Sequence, residues 1–128
     1  MIDSVVDVIP GKRATGLKHL DNSDWFFSCH LINEQIMPGT LQVEAMLQTL
    51  IMTIYTMDGH DKHLSYVTES NCKFFGKVSP GDNLTIYSEL TSRKRGVMKG
   101  VAEGKVNNKT VCKGSFKYYS PHEALSRF

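Results

Sequence analysis

The chain is short of the features that define several large protein classes. Its three cysteines, Cys29, Cys72 and Cys112, have no paired or metal-type spacing. That excludes a disulfide framework and fits free thiols in a reducing cytoplasm. Apolar runs last only a few residues, far below the roughly 20 needed to span a bilayer, so no membrane association is expected. No charged-then-apolar leader opens the sequence, and no signal peptide is expected. The net charge is only +2, and basic residues do not interleave with aromatics, which argues against nucleic-acid binding. His19, His60, His63 and His122 lack ligand spacing, so no metal site is expected. There are no repeats, linkers or low-complexity segments, and 128 residues suffice for one domain, residues 1–128, with a real core.

What is present is a run of strand signals broken by one helical stretch. Ile2 to Ile9 is rich in β-branched residues and predicts a strand, Pro10-Gly11 a turn, and Arg13 to Leu20 a second strand paired back on the first. Asp21 to Asp24 is a polar loop and Trp25-Phe26-Phe27 an aromatic anchor. After the helix, Leu64 to Phe75 is extended and Pro80-Gly81-Asp82 turns. Leu84 to Leu90 is a strand before a basic bend, Arg93 to Gly96. Val97 to Val106 and Thr110 to Tyr119 are strands joined by a tight Asn107-Asn108 hairpin, the last alternating with one wet face. Ser120 to Phe128 is a short tail.

The helix starts at Pro38-Gly39-Thr40 and is apolar over most of its circumference, with Gly59 as its stop. A helix of that kind is expected to be surrounded by protein. A carboxylate inside it, Glu44, then has to be paired or used. Gln48, four residues on, lies on the same face and is placed to orient it. Strands segregated from one long helix make an α+β fold, an antiparallel sheet wrapped round the helix. Its free edges and half-covered helix predict a dimer.

The segment Phe26-Phe27-Ser28-Cys29-His30, then Met37-Pro38-Gly39, then Glu44-Ala45-Met46-Leu47-Gln48 resembles the hotdog-fold 3-hydroxyacyl-[acyl-carrier-protein] dehydratases of fatty-acid synthesis. The fourteen residues from His30 to Glu44 match that family's separation. Cys72-Lys73-Phe74 and Val78-Ser79-Pro80-Gly81-Asp82 are similar to its later segment, and Arg95-Gly96 and Lys105-Val106 to its bend and late hairpin. Three features depart from the pattern. Cys29 replaces the glycine before the histidine. Leu31-Ile32-Asn33-Glu34-Gln35 replaces a proline-stiffened loop. The sequence also opens at the family's first strand, without its usual N-terminal helical segment.

The resemblance implies dehydration of a 3-hydroxyacyl thioester to the trans-2-enoyl thioester, with no metal or redox cofactor. His30 would be the base, neutral near cellular pH. Glu44 would be the acid, its proton retained by apolar surroundings. Free N–H groups at the helix start, beginning at Gly39, would meet the charge that develops on the thioester oxygen. Ile36, Met37, Leu41 and Phe74 would line an acyl tunnel, with Gln48 supporting Glu44. Lys73, Lys77, Arg93, Lys94 and Arg95 would dock an acidic acyl carrier protein, or the thioester would come on coenzyme A. The partners implied are that carrier and a second copy of the chain, as a homodimer or higher oligomer, in the cytoplasm. His30 and Glu44 at one site would belong to different subunits. Cys29 is expected to be a packed thiol. Two other readings remain: an acyl thioesterase, and a non-catalytic acyl-carrier-binding protein.

Overall fold

A computed structural model describes residues 1–28, 34–60 and 64–122. The strands are β1 (Ser4–Ile9), β2 (Arg13–His19), β3 (Tyr66–Phe74), β4 (Asn83–Lys94), β5 (Val97–Val106) and β6 (Lys109–Tyr119). A single turn of 3-10 helix (Trp25–Phe27) and the long helix α1 (Gly39–Tyr55) lie between β2 and β3. All pairings are antiparallel, in the order β1-β2-β4-β5-β6-β3.

Alternation decides which face of the sheet meets the helix. Leu84, Ile86, Ser88 and Leu90 of β4 and Met98 and Ala102 of β5 are buried, while their neighbours Tyr87 and Val101 face out. From above, α1 delivers Ala45, Met46, Leu50 and Ile54 to the same core. Its buried Thr49 and Thr53 hydroxyls donate back to the Ala45 and Leu50 carbonyls, at 2.9 and 2.7 Å, so these polar groups are satisfied within the core. Close approach depends on Gly16, where a Cβ would stand 2.2 Å from Thr49 Oγ1. Thr49 is buried and its hydroxyl is bonded to the Ala45 carbonyl, so moving it aside breaks that bond. Gly16→Ala is therefore expected to destabilise the fold by about 2 kcal/mol in denaturant unfolding; an unchanged midpoint would contradict this packing.

The turns follow local chemistry. Asn107 and Asn108 both have positive φ (50° and 65°), as a two-residue hairpin requires. Arg95 and Gly96 do the same (53° and 82°). The basic bend expected over Arg93 to Gly96 is thus narrower: Arg93 and Lys94 remain in β4, paired with Met98 and Val97, and only Arg95-Gly96 turns. Gly59 is not the helix stop. The helix ends at Tyr55, where the Thr56 N–H and hydroxyl both bond the Met52 carbonyl, and Gly59 (φ +79°) serves the following turn. Of the aromatic anchor, Phe26 and Phe27 are buried with ring centroids 4.6 Å apart, but Trp25 is 67% exposed.

The helix is not surrounded. It packs mainly on β2, β4 and β5. Its outward side carries half-buried Val43, Leu47 and Ile51 with exposed Thr40 and Glu44. Among the described residues the edge strand β3 pairs only with β6, and Tyr66, Val67, Phe74 and Phe75 at this edge are 41–58% exposed. Apolarity over most of the helix therefore marks a side that the described residues leave uncovered, not a closed core.

The start of the chain is tied down by charge. Asp3 accepts the His19 N–H at 2.7 Å and Lys18 Nζ at 3.3 Å, and Lys18 also reaches Asp24 at 3.7 Å. The His19 N–H holds the Asp3 carboxyl below its usual range. The Ser23 N–H does so for Asp21, and the Thr110 hydroxyl for Glu103. Carboxyls lowered by folding stabilise the protein above the unfolded carboxylate range, and that contribution is lost as pH falls through the lowered folded values. A thermal-unfolding series should therefore show Tm falling from about pH 4 downward. Asp3→Asn should flatten the fall slightly, since an exposed pair contributes about 1 kcal/mol or less.

Candidate active site

The start of α1 is built around an unusual cap. Pro38 is the N-cap residue (φ −57°, ψ 142°) and offers no side-chain hydrogen bond. Its carbonyl accepts the N–H groups of both Leu41 (3.0 Å) and Gln42 (3.1 Å). The N–H groups of Gly39 and Thr40 precede these and have no intrahelical acceptor, so the positive end of the helix is open. The turn itself is held firmly. The Met37 N–H donates to the Val78 carbonyl at 2.7 Å, and buried Gln42 donates its Nε2 to the Met37 carbonyl at 3.2 Å. Gln42 Oε1 is buried with no hydrogen-bond partner among the described residues. The Phe74 ring lies against Gly39, where a Cβ would stand 3.2–3.4 Å from three ring carbons.

Glu44 projects from the second turn, about 7 Å along the axis from Gly39. It is exposed, where its apolar neighbours predict enclosure, because none of the described residues covers that side of α1. Gln48 is where the spacing put it, donating Nε2 to Glu44 Oε1 at 3.0 Å. Its Oε1 accepts the N–H of Ile2, also at 3.0 Å. Beneath them Tyr118 donates to the Leu47 carbonyl at 2.8 Å. Burial, reinforced by the charge of Glu44, drives the Tyr118 hydroxyl well above its ordinary range and keeps it protonated. Burial likewise raises the Cys72 thiol and pushes Cys112 up to about 11, so both are poor nucleophiles. His30 and Cys29 lie outside the described residues.

A family model for the FabA-like domain matches residues 1–115. The chain belongs to the FabA-like family. Among this FabA-like protein's relatives is the 3-hydroxyacyl-[acyl-carrier-protein] dehydratase FabZ of Syntrophomonas wolfei, 33% identical over 119 residues, covering 92% of this chain and 83% of the relative. The FabZ of Clostridium novyi is 36% identical over 105 residues, covering 80% and 74%. Solved structures share the hotdog fold at low identity. The dehydratase heterocomplex ApeI:P of Xenorhabdus doucetiae has a TM-score of 0.71 at 14% identity, covering 93% and 96%. A hypothetical thioesterase of Streptococcus pneumoniae with coenzyme A has 0.74 at 12% identity, covering 93% and 87%.

The remaining predicted residues of this FabA-like chain fall in several places. Ile36 and Leu41 are half-buried, Phe74 is 47% exposed, and Met37 is core at 2%. Lys77 is exposed near the helix start and paired with Glu34, whereas Lys73 is exposed on the outer face of the sheet. Arg93, Lys94 and Arg95 stand at the other end of α1, where Arg93 adjoins Met57 and Asp58. One chain thus does not gather the five cations into one patch. A concavity of about 650 Å³ lies on the outer face of the sheet, away from Gly39 and Glu44, and includes Lys73 alone of the predicted residues. Sequence reading missed Gln42 and Tyr118. Gln42 had a signal, a polar residue on an apolar helix face; Tyr118 had none beyond its strand position.

Proposed function

We propose that the protein removes water from a 3-hydroxyacyl thioester on acyl carrier protein, in fatty-acid or related lipid or polyketide synthesis. The observation that carries the reading is Glu44, fixed by Gln48, just over one turn beyond an uncapped and pinned Pro38-Gly39 helix start. His30 takes a proton from C2, and the electron pair moves onto the thioester oxygen, where the Gly39 N–H meets it. As the carbonyl re-forms, the C2–C3 double bond forms, the C3–O bond breaks, and Glu44 gives its proton to the departing hydroxyl. The proton on His30 returns to Glu44 through solvent, closing the cycle.

The working unit is a homodimer, supported by the exposed apolar edge at β3 and the uncovered side of α1. Its second copy encloses Glu44 and supplies or receives His30 across the interface. Ile36, Leu41 and Phe74 line the acyl tunnel, with Met37 behind them. Lys73 and Lys77 from one subunit and Arg93, Lys94 and Arg95 from the other form the acidic carrier's docking surface. Free thiols and a carrier-bound substrate fit the cytoplasm. The test is to present 3-hydroxyacyl-carrier protein and acyl-coenzyme A thioesters and follow products by mass. Loss of one water with the thioester intact supports the reading, whereas release of free thiol makes the protein a thioesterase. Carrier binding with neither product makes it a binding protein.

A further inference from the structure

Ile2, the second residue of the chain, touches the candidate acid through one intermediary. Its backbone N–H donates to Gln48 Oε1 at 3.0 Å, and Gln48 Nε2 donates to Glu44 Oε1 at 3.0 Å. A peptide N–H is only a donor, so the amide oxygen of Gln48 has to face it. The NH2 group is then forced toward the carboxylate. The flipped amide would set its oxygen against Glu44 and its N–H against that of Ile2, losing both bonds and making two repulsive contacts. Without the Ile2 N–H, an ionised Glu44 still favours this orientation, but a protonated Glu44 can equally donate to a flipped Gln48 oxygen.

We propose that the start of the chain is a positioning element for the acid: the Ile2 N–H orients Gln48, and Gln48 reserves Glu44 Oε1 so that the transferable proton sits on Oε2. This rests on the dehydratase reading for its catalytic meaning. A proton on Oε1 would meet the Gln48 N–H head-on, so the acid presents one oxygen to substrate. Ile2 is itself held in place. Its neighbour Asp3 donates its N–H to the Leu17 carbonyl at 2.9 Å and accepts from His19 and Lys18 through its carboxylate. The Ile2 side chain packs against the core. A connected path thus runs from β2 through Asp3 and Ile2 to Gln48 and Glu44.

The test compares wild type, Ile2→Pro (which deletes that N–H donor and also gives up the side-chain packing of Ile2), Gln48→Leu and the double variant. Each single change is expected to lower kcat about tenfold with KM within about twofold, and the double variant to be no worse than Gln48→Leu. Wild-type kcat in Ile2→Pro beside a slowed Gln48→Leu, or losses that multiply, would overturn the proposal. Should Ile2→Pro fail to fold, Asp3→Ala, which unclamps Ile2, is expected to give a smaller kcat loss that disappears in the Gln48→Leu background; a loss that persists there would equally overturn it. A second readout is independent of turnover: proton exchange of the Gln48 side-chain amide by NMR. It should be slow in wild type and fast in Ile2→Pro, and unchanged exchange would overturn the orientation. A wild type without turnover would sink the dehydratase reading, and the amide exchange would still decide the orientation.

Discussion

Gly39→Pro is expected to lower kcat about 10²- to 10³-fold while the protein remains folded. The substitution is chosen from the cap geometry. Gly39 is the first helical residue, the position where proline is best tolerated because its N–H has no intrahelical acceptor. Pro38 already has the extended conformation (ψ 142°) that a following proline demands. The Pro38 carbonyl keeps its bonds from Leu41 and Gln42, so the first turn survives. What disappears is one N–H at the open, positive end of α1. Phe74 lies 3.2–3.4 Å from a Cβ at that position, so some KM change is expected as well. Steady-state kinetics beside a thermal melt separate these effects. Unchanged kcat in a folded Gly39→Pro protein would remove Gly39 from the oxyanion site.

Mixing two inactive variants is expected to restore activity. If His30 of one subunit and Glu44 of the other serve the same substrate, a heterodimer of His30→Ala with Glu44→Gln has one site with both changes and one with neither. Random exchange makes half the dimers heterodimers, each half-active, so turnover should return to about a quarter of wild type. Sites contained within one subunit would give no recovery. The expectation comes from the family resemblance, which implies that His30 and Glu44 of one site belong to different subunits; an exposed Glu44 and the exposed apolar edge strand β3 fit it.

Local chemistry was legible where it alone decides conformation. Asn107-Asn108 tolerates positive φ and turned as expected. Pro38-Gly39 opened the helix, and the alternation through Thr110 to Tyr119 gave a strand. The i to i+4 spacing of Glu44 and Gln48 produced the hydrogen bond between them. Features set by distant partners were not legible. The Ile2 N–H meets Gln48 across 46 residues, and Tyr118 meets Leu47 across 71. Periodicity carries no information about such pairs. The exposure of Glu44 in the single chain is not legible for a related reason: apolar composition says that a helix side needs cover, but not whether the same chain or another copy supplies it. Arg93 and Lys94 looked like a bend because they are charged, yet ladder bonding to β5 kept them in β4.

The measurement that bears most directly on the central claim is turnover of a 3-hydroxyacyl thioester on acyl carrier protein, followed by mass, for wild type, His30→Ala and Glu44→Gln. The account predicts loss of one water by the wild type and rates lower by about 10²- to 10⁴-fold in both folded variants. Water loss that persists in either variant at the wild-type rate, or a folded, dimeric wild type that dehydrates no chain length, would contradict it.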